Sequence, residues 1–377
     1  MYFDYCATTP VSEEVIAAMQ PFWRIDYGNP SSLHQYGRIA AESMEHARVQ
    51  VAASIGAKAH QIIFTSGATE ANNLALLGIL QPWQQEGAHL ITSSIEHHSV
   101  LHTAQFLEKM GCEVTYLPVN KAGLISPESV EQAIRANTRL ISIMLVNNEL
   151  GTVQPVAAIG KIAHQHGIPF HSDAVQGIGL LDVDSERMGI DLVSLSAHKI
   201  YGPKGAGALM VRTDIAISNI FHGGSQEQYL RPGTENVPAI IGFGKACELV
   251  SMNKERDRNV ISGLRKQLVE NLRKRIAGLR VNGAQGTDLC PHVLSLTFPD
   301  CVAEMMQIRL SKQDVALSLG SACNSKEIMP SHVLLAIGLS REEADATIRI
   351  SLGRETTQEE VARLSEILPD VASACRI

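Results

Sequence analysis

One lysine stands where a protein can use its amine as a nucleophile. Residues 191–196 form a short apolar run typical of a buried strand, and the chain then passes through His198 and Lys199 into a glycine-rich turn. A lysine forms an imine with an aldehyde only as the neutral amine, and because its free pKa is ~10.4 the site must lower that pKa or engage the amine covalently. Lys204 competes for this role, but its place within the turn predicts exposure to solvent. We therefore predict that Lys199 is the nucleophile.

A turn suited to an anion follows another apolar run. Residues 62–64 read Ile-Ile-Phe, and the polar turn at residues 65–70 leads from them into a helical pattern. Amides at the N-terminus of a helix attract negative charge, so Ala68 and Thr69 are candidates for holding a phosphate. The turn lacks both the Walker pattern and the dinucleotide fingerprint. A helix capped by Thr or Ser, without any ligand, is the alternative at this point.

Three more strand-like runs end in polar side chains. Asp173 closes one run, and a carboxylate there can keep a pyridinium nitrogen protonated, although an Asp that only caps a loop is the alternative. Asn148 follows a second run and can donate to a phenolate oxygen, or it can simply belong to a polar turn. His97 follows the third run, where an imidazole can stack on a flat ring and transfer protons near neutral pH.

The histidines near the third run also permit a metal site. Glu96, His98 and His102 would lie on one side of a helix, which is a spacing that metal ligands use. A tightly bound transition metal usually needs a fuller set of ligands, and no distant Cys or Asp cluster supplies one. We therefore predict no metal here.

The elements that must position these groups alternate along the first half of the chain. Apolar runs predict strands buried on both faces at residues 61–65, 88–93, 112–117, 140–146, 169–173, 191–196 and 206–211. Helical patterns at residues 38–55, 70–80 and 155–166 lie between several of them. This alternation predicts an α/β fold with a mainly parallel seven-stranded sheet, whose strands end at one ligand-binding edge. That edge would collect groups for a phosphate, a ring face, a phenolate, a ring nitrogen and an aldehyde, which is the set that pyridoxal 5′-phosphate requires.

The pattern changes near residue 254. Residues 256–275 form a charged amphipathic helix, after which strands and helices mix without regular alternation, and residues 359–374 predict a closing helix. We therefore predict a large domain of residues 13–253. Residues 1–12 and 254–377 would form a smaller α+β domain.

The composition favours a soluble, cytoplasmic protein. The 377 residues carry a net charge of −7 without clustered Lys and Arg, so direct binding of nucleic acid is not expected. No apolar run approaches the ~20 residues needed to cross a bilayer, and the first residues do not resemble a signal peptide. The seven cysteines are scattered and lack a Cys-x-x-Cys pair, which argues against a disulfide framework or a zinc site.

Collinear motifs run through nearly the whole chain, from Asp4 to about residue 360. They are Ala-Thr-Thr-Pro at 7–10, Gly-Asn-Pro-Ser-Ser-Leu-His at 28–34, residues 65–73, Asn-Asn-Glu-Leu-Gly at 147–151, residues 196–205, Gly-Ser-Ala-Cys at 320–323 and residues 348–354. In these motifs the chain resembles the cysteine desulfurases of the NifS/IscS-like branch of the class V aminotransferase superfamily. The resemblance implies pyridoxal-phosphate fold type I.

The resemblance also implies how the cofactor is held. Lys199 would be the Schiff-base lysine, Asp173 would pair with the pyridine nitrogen, and His97 would stack on the ring and shuttle protons. Gln176 or Asn148 would bond the phenolate oxygen. The phosphate would be held by Ala68, Thr69, Ser196 and His198, joined by Thr234 from the second subunit of a homodimer.

For the reaction, the resemblance implies that L-cysteine is the substrate. Arg349 would grip its carboxylate, with Asn29 nearby. Lys199 would remove the α-proton, and the Cys323 thiolate would attack the substrate sulfur, leaving a persulfide and L-alanine. The sulfur would pass to an acceptor protein for iron–sulfur cluster assembly or nucleic-acid thiolation. On composition alone, Cys323 would be one more unreactive cysteine.

The chain departs from the family pattern at several positions. Tyr5 and Cys6 replace Asn-Ala, and Ser225 and Tyr229 stand in a segment where glycines and an arginine are commoner. Pro232 replaces a small residue, and Lys326 begins an unusual stretch after the predicted nucleophile. None of these changes removes a catalytic group, so they bear on partner choice and loop motion.

Two other functions fit parts of the pattern. Another pyridoxal-phosphate enzyme of this fold, such as a selenocysteine lyase or an aminotransferase, would keep Lys199 and Asp173 but would not need a persulfide at Cys323. A scaffold protein could keep the fold without catalysis, but the presence of both Lys199 and Arg349 argues against it.

Overall fold

The computed structural model describes residues 1–319 and 330–376, apart from the side chains of Gln84 and Gln85. The strands are β1 (Ile62–Thr65), β2 (His89–Ser93), β3 (Glu113–Leu117), β4 (Thr138–Ser142), β5 (Phe170–Asp173), β6 (Leu192–Ser196), β7 (Gly207–Val211), β8 (Arg280–Asn282), β9 (Val293–Thr297), β10 (Ser318–Leu319) and β11 (Thr347–Ser351). The helices are α1 (Glu13–Met19), α2 (Pro21–Arg24), α3 (Gln35–Ala53), α4 (Ala68–Leu80), α5 (His98–Lys109), α6 (Pro127–Ala133), α7 (Val156–Gln165), α8 (Val237–Arg275), α9 (Ala303–Ser311), α10 (His332–Ala336), α11 (Arg341–Asp345) and α12 (Gln358–Ser373).

The first seven strands form one sheet in the order β1-β7-β6-β5-β4-β2-β3. Strand β7 is antiparallel to both of its neighbours, while the other adjacent pairs are parallel. Every residue of β1, β2, β6 and β7 is buried, as expected for strands covered by helices on both faces. The predicted α/β class and the seven-stranded, mainly parallel sheet are confirmed.

One predicted strand is shorter in the structure. Strand β4 ends at Ser142, whereas the apolar run continues to residue 146. The backbone still pairs beyond that point, since Ile143 N donates to His171 O at 3.1 Å and Leu145 N donates to Asp173 O at 2.9 Å. The pairing is irregular there, and the chain bends toward the turn that carries Asn148.

The remaining strands form a smaller antiparallel sheet in the order β10-β11-β9-β8. Helices α9 and α12 pack near it, and α12 also packs on α8. The first residues of the chain join this sheet, because Asp4 forms a parallel bridge with Ser351 of β11. The small sheet therefore pairs the first residues of the chain with a strand from its last part.

The expected boundary at residue 254 falls inside a helix. Helix α8 is continuous over 39 residues, from Val237 to Arg275, and Pro238 occupies its first turn, where a missing amide is tolerated. Its first half packs on α1 and α3 and its second half on α12. The change of pattern near residue 254 thus reflects a change of packing partner along one helix, and the domain division stays a prediction. Within the described ranges, no helix is long and apolar enough to cross a membrane.

Candidate active site

A cavity of about 700 Å³ lies at the carboxyl ends of the parallel strands. Such strand ends are where α/β sheets bind their ligands. Ten of the residues predicted from the sequence line it: Ala68, Thr69, His97, Asn148, Asp173, Gln176, Ser196, His198, Lys199 and Arg349. The fold therefore brings together groups that are up to 281 positions apart in the chain, from Ala68 to Arg349.

Lys199 reaches the cavity from the turn that follows β6. Its Nζ donates to the backbone carbonyl oxygens of Cys6 and Ala7, the latter at 2.8 Å. Burial lowers the pKa of the amine, and the positive charge of Arg349 lowers it further. A lower pKa leaves more neutral amine near pH 7, which is the form that attacks an aldehyde. Lys204 also borders the cavity but is exposed, as its place in the turn predicted.

Asp173 is the last residue of β5, and its side chain is held on both oxygens. Oδ1 accepts a hydrogen bond from Val175 N at 3.0 Å, and Oδ2 accepts one from Asn72 Nδ2 at 2.8 Å. The same Asn72 nitrogen donates to Ser99 Oγ at 2.8 Å. These bonds fix the carboxylate at the cavity wall. Sequence reasoning missed Asn72 and Ser99, although a fully buried Asn within the apolar α4 is a usable signal of such a role.

His97 is the N-cap of α5 and belongs to the same network. Ser99 N donates to His97 Nδ1 at 3.2 Å, so Nδ1 is an acceptor, and Ser99 Oγ lies 2.7 Å from that nitrogen. Burial lowers the pKa of the imidazole, whereas the negative charge of Asp173 opposes the shift. The neutral ring then carries its proton on Nε2. A continuous chain of side chains, from Asp173 through Asn72 and Ser99, sets this tautomer.

The N-terminus of α4 forms another wall. Helix α4 begins at Ala68, and its N-cap residue, Gly67, has no side chain that could cap the first backbone amides. Ala68 and Thr69 border the cavity. Strand β7 approaches this turn so closely that a Cβ on Gly207 would lie 2.6 Å from Gly67 Cα. Uncapped amides at the start of a 13-residue helix favour an anionic group.

His198 lies on the same side of the cavity. Its Nδ1 is 3.1 Å from Thr8 Oγ1. Burial lowers the pKa of His198 to about 4, and the charges of Lys199 and Lys204 act in the same direction. The ring is therefore neutral at pH 7, and it can donate one hydrogen bond to an anion without adding a charge. Ser196, which ends β6, borders the cavity beside it.

A buried ion pair supports this anion-binding wall. Glu70 Oε1 accepts from Arg231 Nε at 2.9 Å, and Glu70 Oε2 accepts from Ser66 N at 2.9 Å. The glutamate is thus tied to both the turn before α4 and the segment before α8. Arg231 also neutralises the Glu70 carboxylate, which would otherwise repel a phosphate. The sequence patterns did not predict this ion pair.

Arg349 projects from β11, in the small sheet. Its Nη2 donates to Asp4 Oδ1 at 3.0 Å, and its Nη1 donates to the backbone carbonyl oxygen of Asn148 at 3.2 Å. Its Nε is buried and has no hydrogen-bond partner among the described residues. Each terminal nitrogen keeps a second N–H, and a guanidinium that borders the cavity is a ready donor for a carboxylate ligand.

Gln176 is the second candidate for the phenolate oxygen. Its Oε1 accepts from His292 Nε2 at 3.0 Å, and its Nε2 donates to Cys6 O at 3.2 Å. One amide hydrogen of Nε2 is left for another acceptor. The side chain of Asn148 also borders the cavity, so the structure keeps both candidates at the site.

The first residues of the chain contribute more than the sequence indicated. Cys6 contacts Lys199 through its backbone carbonyl, so a change of side chain from the family pattern leaves that contact intact. Burial raises the pKa of the Cys6 thiol, which keeps it protonated and poorly nucleophilic. The neighbouring Tyr5 fills space over Gly353, where a Cβ would lie 2.2 Å from the ring. Both departures are thus accommodated without loss of a cavity group.

The residues present fit pyridoxal 5′-phosphate. A buried lysine can engage its aldehyde, a fixed carboxylate can face its ring nitrogen, and a neutral imidazole can lie against its ring. Uncapped amides of α4 provide the phosphate site. By contrast, the stacked histidines His98, His102 and His332 do not form a metal site, because the described ranges contain no group of three or more suitable ligands.

Comparison with known proteins decides the family. The model of the "Aminotransferase class-V" family matches residues 1–364. The chain belongs to the class V aminotransferase family. Its pyridoxal-phosphate dependence follows, and this class V chain is an enzyme of fold type I.

Similar proteins narrow the branch of the family. The class V chain is 44% identical to "Cysteine desulfurase IscS" of Dictyoglomus turgidum over 376 residues, which cover 100% of this chain and 95% of that protein. It superposes on a solved "NIFS-LIKE PROTEIN" with a TM-score of 0.93 and 36% identity, covering 99% of both chains. It also superposes on "SspA in complex with cysteine" with a TM-score of 0.85 and 42% identity, covering 94% of this chain and 99% of that one. The predicted resemblance to the NifS/IscS-like desulfurases is confirmed.

Two predicted residues are not among the described residues that line the cavity, and a third lies outside the described part of the chain. Asn29 is exposed and its Oδ1 accepts from Ser31 N at 2.9 Å. Thr234 is also exposed, in the segment before α8. Cys323 lies outside the described residues. The roles predicted for these residues therefore stay predictions.

Proposed function

We propose that this class V enzyme is a cysteine desulfurase, which converts L-cysteine to L-alanine and transfers the sulfur to Cys323 and then to an acceptor protein. The observation that carries the proposal is a single cavity shared by a partly buried lysine and a buried guanidinium, whose two terminal nitrogens each keep one N–H without a partner among the described residues. One can act at the α-carbon of an amino acid while the other holds its carboxylate. Relatives along the full length of the chain are named as cysteine desulfurases.

The protein groups divide the work of binding and proton transfer. Arg349 binds the substrate carboxylate, which places the α-carbon next to Lys199. When bound, pyridoxal phosphate supplies an electron sink for the α-carbon. Asp173 keeps the ring nitrogen protonated, and its two hydrogen bonds hold it in place. The Lys199 amine, with its lowered pKa, accepts the α-proton.

His97 is suited to a second proton transfer. Its ring is neutral, its Nδ1 is an acceptor for Ser99 N, and its Nε2 is left for the cavity. A group in this state can exchange a proton with a substrate thiol or with an approaching nucleophile. We assign His97 this role beside its stacking on the cofactor ring.

Sulfur transfer is proposed to take place on Cys323. Its thiolate attacks the substrate sulfur, so that an S–S bond forms while the C–S bond breaks, and the electrons of the broken bond return to the carbon that becomes part of L-alanine. The persulfide then passes its outer sulfur to an acceptor protein for iron–sulfur cluster assembly or nucleic-acid thiolation. Free cysteine is mostly protonated at neutral pH, so Cys323 must lose its proton before it attacks, and the Nε2–H of His97 can donate a hydrogen bond to the resulting thiolate.

A homodimer completes the proposed site. Thr234 is exposed in this chain, and its segment is tied by Arg231 to the anion-binding wall. In a dimer, Thr234 would bind the phosphate in the partner's cavity, and Asn29 would lie near the substrate. A cytoplasmic location is proposed for this enzyme.

The test compares the wild-type holoenzyme with Cys323→Ala in L-cysteine and a thiol reductant. Wild type should release both sulfide and L-alanine, and the variant should lose at least about a hundredfold in rate because it lacks the nucleophile. Cys112→Ala, which removes a buried thiol before β3, is the matched control and should keep the wild-type rate. If Cys323→Ala is as fast as wild type, the persulfide step is wrong. If wild type forms no L-alanine, the desulfurase proposal itself is wrong.

A further inference from the structure

The first residues of the chain link the two sheets at the cavity. Residues 4–9, here called the N-terminal strap, bind β11 at one end, where Cys6 N donates to Ser351 Oγ at 2.9 Å. At the other end, Thr9 N donates to His198 O at 3.0 Å. The strap therefore joins the strand that carries the guanidinium to the turn that carries the nucleophilic amine.

The strap also holds the guanidinium of Arg349 directly. Asp4 Oδ1 accepts from Arg349 Nη2 at 3.0 Å, and the two side chains are only 19% and 10% exposed. Asn148 O fixes the second terminal nitrogen. The guanidinium is thereby held at the cavity wall, and the fork cannot turn away without breaking a charge-assisted bond.

The contact of Asp4 is specific to this arginine. Among the described residues, Arg349 is the one hydrogen-bond partner of the Asp4 carboxylate. The strap itself is anchored by other groups, namely the backbone of Cys6 and of Thr9. Removing the carboxylate would thus release the guanidinium while leaving the anchors of the strap in place.

We propose that Asp4 is a positioning residue that sets the affinity for the substrate carboxylate by orienting Arg349. The inference rests on the proposed function, because it takes the carboxylate of L-cysteine as the ligand of that guanidinium. An arginine side chain loses rotamer freedom when it is fixed on a ligand. Asp4 fixes the side chain before the substrate arrives, so this loss does not weaken substrate binding.

The test measures Asp4→Ala and Asp4→Asn as holoenzymes. We expect the KM for L-cysteine to rise about tenfold in Asp4→Ala while kcat changes less than about twofold, because the carboxylate contact is made equally in the bound state and the transition state. Asp4→Asn keeps an acceptor oxygen without the charge, so its KM should be intermediate. The dissociation constant of cysteamine, an amine thiol without a carboxylate, should stay unchanged when it is measured from the cofactor absorbance.

A matched control removes an ion pair far from the cavity. Asp345→Ala breaks the exposed contact with Arg341, which spans 3.8 Å on α11, and should leave both ligands unaffected. An unchanged KM in Asp4→Ala would overturn the proposal. So would an equal weakening of L-cysteine and cysteamine, which would indicate general damage to the cavity.

Two further measurements test the role of Asp4 if the Asp4→Ala variant does not fold or if the enzyme does not act on L-cysteine. If Asp4→Ala fails to fold, Asp4→Glu and Asp4→Asn replace it, and the charge-retaining Asp4→Glu should show the smaller rise in KM. If wild type forms no L-alanine from L-cysteine, the proposed function fails, but binding still tests Asp4. L-alanine should then bind about tenfold more weakly to the variant, while ethylamine, which lacks the carboxylate, should bind as it does to wild type.

Discussion

Replacing Glu227 by Gln tests how the segment before α8 is held against the large sheet. The Glu227 carboxylate is 2% exposed and accepts two parallel bonds from Arg48, each of 2.8 Å. It also accepts from Phe64 N at 2.7 Å, in β1. A glutamine has one acceptor oxygen, so its amide nitrogen must face either the guanidinium or the backbone N–H. In either arrangement a donor meets a donor, and the cation of Arg48 loses its buried partner.

The pair also stabilises an unfavourable backbone. Glu227, Gln228 and Tyr229 have φ angles of +43°, +58° and +64°, and three successive left-handed residues without glycine are costly. A glycine at one of these positions would relieve part of this strain. The buried pair therefore offsets a local backbone strain.

The expected magnitude follows from these contacts. Leaving one partner of a buried ion pair without the other destabilises a protein by about 3–5 kcal/mol. Unfolding entropy of about 2.1 cal/mol/K per residue over the 377 residues then predicts a fall in Tm of roughly 4–6 °C. Differential scanning calorimetry of the holoenzyme measures this fall.

The control alters the other carboxylate on the same arginine. Glu45 contacts Arg48 Nε at 3.0 Å, but its side chain is 64% exposed, so Glu45→Gln should lower the stability by less than about 0.5 kcal/mol. The reasoning is refuted if Glu227→Gln melts within about 1 °C of wild type, or if both variants lose the same stability.

Two further predictions concern Arg231, beside the anion-binding wall, and the buried carboxyl group of Glu96. Arg231→Ala leaves Glu70 charged and without its ion-pair partner beside the proposed phosphate site. The dissociation constant for pyridoxal phosphate, measured by titrating it into the apoprotein, should therefore rise about tenfold. An unchanged affinity would show that the ion pair is only structural. Burial raises the pKa of Glu96 to about 8, above its ordinary 4.5. The protonated form therefore stabilises the fold fully below pH ~4.5, and this stabilisation is lost at about 1.4 kcal/mol per unit as the pH rises toward 8. Glu96→Gln keeps an acceptor oxygen for Ser93 and Met144 but cannot ionise. The Tm of this variant should therefore fall less than the Tm of wild type between pH 5.5 and about 8. An equal fall in Tm for both proteins would contradict the raised pKa of Glu96.

The sequence predicted the large sheet well, for a physical reason. Strands buried on both faces must be apolar along their length, so each appears as a short uninterrupted run. The exception is β4, where the apolar run continues past the regular ladder because the chain is still buried as it bends. The ligand groups were predictable for a related reason, since a polar residue directly after such a run must lie at the sheet edge.

Contacts that depend on tertiary packing were not predictable in this way. Asn72 lies one turn inside α4, and only the fold shows that it faces Asp173 rather than another helix. Arg48 and Glu227 are 179 positions apart, and neither stands in a recognisable motif. The continuity of helix α8 was not predicted from the sequence, because its buried first half and its charged second half resemble two separate segments. A local sequence pattern indicates which chemistry a residue can perform, whereas the residue that it contacts depends on how the helices pack against the sheets.

The N-terminal strap shows why that distinction matters for catalysis. The lysine that we propose acts at the α-carbon follows a strand of the large sheet, whereas the arginine that we propose holds the carboxylate belongs to the small sheet. A displacement of about 1 Å between reacting groups is enough to slow an enzyme substantially. The two sheets must therefore be kept in register, and the strap does this at the cavity itself, since Asp4 contacts Arg349 while Cys6 and Ala7 contact Lys199. The strap thus links the two groups through one carboxylate, that of Asp4, and two backbone carbonyls, those of Cys6 and Ala7, and no local residue pattern reveals these contacts.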